Sequence, residues 1–169
     1  MDMSRFNTLC DAYDNAQKNF ETYKSNCYNF GVELVDELRK YFQVPDRQFT
    51  VYKIEENNNF DLIHGSLLGA LTLTKDSLWH FGVGFTVCRT VDVFPEELIL
   101  LALVYRKEKG NTFYLKHTYN EKEFKVEYGK PETYKDYFED LFKTILESYN
   151  GHLQQFIGEK TVRKLGYIQ

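Results

Sequence analysis

The stretch Leu78-Trp79-His80-Phe81-Gly82-Val83-Gly84-Phe85-Thr86-Val87-Cys88-Arg89 decides the fold, because large apolar and small side chains alternate along it without a break. In an extended chain successive side chains point to opposite faces. Trp79, Phe81, Val83, Phe85 and Val87 therefore make one apolar row, and His80, Gly82, Gly84, Thr86 and Cys88 make a row of small residues led by one imidazole. The first row is a core face. The second either receives a helix or crossing strand at close range or forms a groove floor ending at His80, and close packing is the favoured reading.

Downstream, Leu98-Ile99-Leu100-Leu101-Ala102-Leu103-Val104-Tyr105 is apolar on both faces, as in a strand covered on both sides and central in its sheet. Thr112 to Tyr119 alternates again, and Phe124 to Tyr128 follows a polar turn, so this half reads as an antiparallel meander. Upstream, Phe49 to Ile54 reads as a strand followed by the polar loop Glu55 to Asn59, and a further strand is expected from about Leu67 to Thr74.

Outside this sheet the period changes. Phe6, Leu9, Tyr13, Ala16, Phe20, Tyr23, Cys27, Phe30 and Leu34 recur at alternating intervals of three and four, the seam of a helix packed along another helix. Ser4 is placed to cap its start, and Val44-Pro45 to end it. Gly31 predicts a kink or a break near Asn29-Phe30-Gly31. The seam's flanks, Cys10, Ala12, Gln17, Asn19, Lys24 and Asn26, carry little charge code for a second copy and favour packing within one chain. Near the other end Pro131 suits a first helical position, and Tyr134 to Tyr149 gives a broad apolar stripe. That helix is expected to stop at Asn150-Gly151 or to run on to about Ile157, with a short basic helix over Thr161 to Leu165.

These readings define a single α+β domain over residues 1–169, helical over 4–43, sheet over 48–128 and helical over 131–165. Its five- or six-stranded, mostly antiparallel sheet carries a long N-terminal helix, or kinked helix pair, and a long C-terminal helix on one face. The 169 residues suit one core, and 43% hydrophobic with 27% charged residues is a globular balance. The chain contains no internal repeat.

Function is less determined. A net charge of −4 argues against a phosphate-binding surface. The start lacks a secretory pattern and no apolar run approaches bilayer length, so a soluble cytosolic chain without membrane contact is expected. Cys10, Cys27 and Cys88 read as reduced structural thiols without metal-binding spacing. No cofactor or metal site is expected. The catalytic candidates are His64, His80 and His117 with the loop carboxylates Glu55 to Asp61, Asp92 and Glu96, the composition of a small hydrolase or nuclease. Along one straight strand His80 and Cys88 lie roughly 26 Å apart, which rules out a dyad. Binding candidates are Gly82 and Gly84 on the groove floor, and Arg106, Lys107, Tyr114 and Lys116, a basic and aromatic set of the kind that holds single-stranded nucleic acid. The reading adopted is a non-catalytic binding or regulatory protein acting through protein contacts, with a homodimer compatible and nucleic acid second to a protein partner.

Overall fold

The computed structural model describes residues 4–90, 96–117, 121–150 and 161–165. Helix α1 spans Arg5–Phe42, followed by strands β1 Phe49–Ile54, β2 Phe60–Ile63, β3 Thr72–Leu73, β4 Trp79–Cys88, β5 Glu96–Lys107, β6 Thr112–Lys116 and β7 Glu123–Glu127. Helix α2 covers Lys135–Asn150, and β8 Thr161–Leu165. The α+β architecture is as expected, a mostly antiparallel sheet with a long N-terminal and a C-terminal helix.

The sheet is built on the β4–β5 hairpin, in register from Trp79 opposite Tyr105 to Cys88 opposite Glu96. The strand order is β2-β1-β4-β5-β6-β7. Each long strand is also shared lengthwise. On β4, β1 pairs with Gly82–Phe85 while β3 pairs with Trp79 and His80. On β5, β6 pairs with Val104–Lys107 while β8 runs parallel to Glu97–Leu101. Among the described residues the sheet therefore has eight strands, where five or six are expected.

Most of the difference is in short segments. Leu67–Gly69 is a 3-10 turn and not the start of a strand, because Leu67 turns into the core and leaves only Thr72 and Leu73 to pair. β2 has only four residues, too few to alternate legibly. Thr161–Leu165, expected as a short basic helix, is a strand, since the exposed edge of β5 supplies backbone partners over residues 97–101. The expected continuation of α2 to Ile157 lies outside the described residues.

One sheet face carries the core. Phe81, Val83, Ile99, Leu101, Leu103, Tyr105, Phe113, Leu115 and Val126 meet Cys27, Phe30, Leu34 and Leu38 of α1, Tyr134 just ahead of α2, and Tyr137, Phe138 and Leu141 of α2. Phe30 stacks flat on Phe113, its ring centroid 3.9 Å away. The Trp79 row is thus core as expected, down to a half-buried Val87.

Helix α1 does not break at Gly31. It is a single 38-residue helix, started by Ser4 Oγ accepting from Asn7 N–H at 3.2 Å and ended by Gln43 in the left-handed region. Gly31 is there for space. The buried Tyr105 hydroxyl donates to the Cys27 carbonyl at 2.7 Å, and a Cβ at Gly31 would lie 2.9 Å from that hydroxyl oxygen. Close packing on the sheet, and not a kink, explains the glycine.

Candidate functional site

The small-residue row of β4 faces away from both helices, so among the described residues the close packing expected there does not come from a helix. The rings of Tyr52 and Phe60, from β1 and β2, take that place. A Cβ at Gly82 would come within 2.7 Å of Phe60, and one at Gly84 within 2.6 Å of Tyr52. Both glycines are buried under these rings, so they are not the floor of an open groove.

His80 lies on the same face, between Thr72 and Val104 in register, and is 2% exposed. Its Nε2 is 3.4 Å from Asp76 Oδ2, within ion-pair range but outside hydrogen-bond geometry, and neither ring nitrogen makes a hydrogen bond. Burial lowers its pKa despite the nearby Asp76. Asp76 also borders a groove of about 1010 Å³ lined by Lys53, Glu55, Glu56, Thr72 and Lys75, where Lys53 and Glu55 pair at 3.2 Å. His80 itself does not line the groove.

His117 is on the other side of the sheet. Val104 pairs with both His80 and Lys116, so the residue after Lys116 turns toward the helices. There its ring stacks on Tyr137 at 4.8 Å and meets the edge of Phe124. Its Nε2 is 3.0 Å from Asp140 Oδ2, whose other oxygen takes Lys122 Nζ at 2.9 Å. Desolvation outweighs that carboxylate and holds the pKa down to about 4. Enclosed between aromatic rings, this imidazole is a neutral packing element.

The catalytic candidates do not come together. His64 is exposed beyond β2, four strand spacings from β6, or about 19 Å of sheet from His117. Glu96 pairs with Cys88 at the far end of the hairpin from His80, roughly 26 Å along the strand. Asp92 lies outside the described residues. Among those described, no group of three or more His, Cys, Asp or Glu could hold a metal ion.

The basic and aromatic set is divided and occupied. Arg106 and Tyr114 are paired in register, with the guanidinium 4.1 Å from the ring centroid. Two guanidinium nitrogens of Arg106 also donate to Glu123, at 3.3 and 3.2 Å. Lys116 is opposite Glu123. Lys107, one residue on from Arg106, turns to the other face, where its ammonium donates to the Gly110 carbonyl and lies 5.7 Å from the Phe113 ring centroid. A nucleic-acid strand would have to compete with Glu123 for the guanidinium.

The feature open to a partner is on α1. Every residue from Ser4 to Thr22 is exposed, and along that length Phe6, Leu9, Tyr13 and Phe20 are 73, 68, 67 and 46% exposed. From Cys27 onward the same stripe is buried on the sheet. The seam therefore divides into a docked half and a free half. Sequence reasoning located the stripe but assigned its whole length to packing within the chain, because periodicity reports which face is apolar and not what covers it. Between the halves, Tyr23 accepts from Trp79 Nε1 at 3.2 Å.

No family model matches this chain, and neither a curated protein nor a solved structure matches it. No helix among the described residues is long and apolar enough to cross a membrane.

Proposed function

We propose that the chain is a non-catalytic protein-binding module that engages its partner through the free half of α1. The observation that carries this reading is the run of exposed Phe6, Leu9, Tyr13 and Phe20 at helical spacing. Scattered surface apolar residues need no explanation, but a contiguous stripe of large ones marks an interaction site, and an amphipathic helix is a common way to present one. Covering these side chains removes apolar surface from water, so the covered state is the more stable one.

Two arguments weigh against catalysis. The titratable groups of the sheet are dispersed over both faces, and the two buried histidines have lowered pKa values, which leaves them neutral near pH 7. General acid–base work needs such a group within hydrogen-bond reach of a substrate. The stripe is also ill suited to a lipid surface. Interfacial helices concentrate Lys and Arg on the polar face, whereas residues 5–24 hold Arg5, Lys18 and Lys24 against Asp11, Asp14 and Glu21.

A benzophenone amino acid placed at Tyr13, and separately at Asp11 on the opposite face, tests the reading in the native cell. The Tyr13 position is expected to yield a covalent protein adduct on irradiation and the Asp11 position none. Equal yields, or none from either, would overturn it.

A further inference from the structure

We propose that the occupant of the free stripe is the same stripe of a second copy, laid antiparallel so that Phe6 of one chain meets the partner's Tyr23. The inference rests on the protein-binding reading and specifies the partner.

The chain's own sheet determines the direction. It covers the stripe from the half-buried Tyr23, packed on Trp79, to Leu38, so a helix laid along the stripe from residue 6 reaches the sheet at Tyr23 and must end there. A parallel second copy could not end there, because its own residues 27–42 would continue into the space the first sheet occupies. An antiparallel copy ends in the right place, since α1 begins at Arg5. Its sheet then lies at the far end of the pair, clear of the first.

The side chains fit this register. Pairing Phe6 with the partner's Tyr23 also sets Leu9 against Phe20 and Tyr13 against Ala16, a large residue facing the smallest on the stripe. Each layer occurs twice, as a two-fold interface requires. Of the seam's flanks, Cys10, Ala12, Gln17, Asn19 and Asn26 are uncharged and offer no repulsion to a second copy, and Lys24 is the one charge among them.

The area is sufficient. Phe and Tyr bury about 150–250 Å² each, so the exposed fractions of Phe6, Leu9, Tyr13 and Phe20 amount to roughly 500 Å² per chain. With Ala16, Tyr23 and the flanking stems the total is about 1,200 Å², at the lower end of specific interfaces.

Light scattering of the full chain at about 100 μM, well above a micromolar dissociation constant, is expected to give twice the 20.1 kDa chain mass. Leu9→Glu with Tyr13→Glu, both on the exposed stripe, is expected to be monomeric with the core intact, as read by unchanged fluorescence of the buried Trp79. Direction is read by disulfide trapping in a Cys10→Ser, Cys88→Ser background. Leu9→Cys mixed with Phe20→Cys should cross-link to each other, and neither to itself. A monomeric wild type, a dimer that survives the double glutamate change, or self-cross-linking of Leu9→Cys would each overturn the proposal. If the wild type is monomeric while the Tyr13 photoprobe still captures a protein of another mass, the second-copy assignment fails and the protein-binding reading stands. If neither gives a complex, both fall.

Discussion

Replacing Gly31 with alanine sets two effects of known sign against each other inside one helix. Alanine is favoured over glycine in a helix interior by about 1 kcal/mol, and on that ground alone the change should stabilise α1. The structure opposes it. The new Cβ would lie 2.9 Å from the Tyr105 hydroxyl oxygen and 3.1 Å from Leu67 Cδ2. Leu67 has room to give at its flexible tip, but the Tyr105 hydroxyl is held at 2.7 Å by the Cys27 carbonyl and its side chain is fully buried. Overpacking of this kind costs about 1–3 kcal/mol, and a displaced buried hydrogen bond about 1 kcal/mol more. The expected net effect is a loss of about 1–3 kcal/mol, which at about 3 °C per kcal/mol for a chain of this size lowers the thermal midpoint by about 3–9 °C. Calorimetry at one fixed protein concentration, so that any self-association is held constant, measures it. The cycle is completed with Tyr105→Phe, which removes the clashing atom. In that background Gly31→Ala should be neutral or stabilising by up to about 1 kcal/mol. A raised midpoint for Gly31→Ala in the wild-type chain, or the same shift in both backgrounds, would refute the packing explanation of this glycine.

Gly82→Ala should cost about 1–2 kcal/mol in urea unfolding, since its Cβ meets the Phe60 ring and Tyr52 Cβ; Phe60→Ala should recover part of the loss, and a neutral Gly82→Ala would mean that the rings do not cover the strand. His117, with its folded pKa near 4 against an unfolded value near 6.5, is protonated more readily in the unfolded chain. Its contribution to stability is therefore complete above about pH 6.5 and is lost as pH falls toward 4, with Asp140 and Lys122 the charged groups beside it. The unfolding midpoint should fall across that window and fall less in His117→Phe; an identical pH profile in the variant would contradict the assignment. His80→Leu removes two buried ring nitrogens that make no hydrogen bond and should change stability by about 0–1 kcal/mol in the favourable direction; a loss above about 2 kcal/mol in equilibrium unfolding would show that His80 holds a partner the fold depends on.

Legibility in the sequence followed element length. β4 and β5 were readable because ten and twelve residues give a period of two many chances to repeat, and α1 because its seam persists over four heptads. β2, β3 and the 3-10 turn at Leu67–Gly69 were not, because two to four residues pair only where a longer neighbour offers backbone groups. β8 is the clearest case: Thr161–Leu165 has no strand pattern of its own beyond an edge left open on β5. For the site, closeness in the chain did not carry over to closeness in the fold. Arg106 and Lys107 are neighbours in the chain but point to opposite faces, and Glu123, distant in sequence, takes the guanidinium.

By itself the sequence determined the class, the central hairpin and the apolar faces, since side-chain periodicity is a local property of a backbone with fixed geometry. Only the tertiary structure decided what lies on each face. It set the Tyr52 and Phe60 rings, and not a helix, over Gly82 and Gly84, and buried His80 and His117 on opposite sides of the sheet. It also ended the sheet's cover of α1 at Cys27 and left the stripe from Phe6 to Phe20 wet. Cover depends on where the sheet stops in space, and no local pattern in α1 records that boundary.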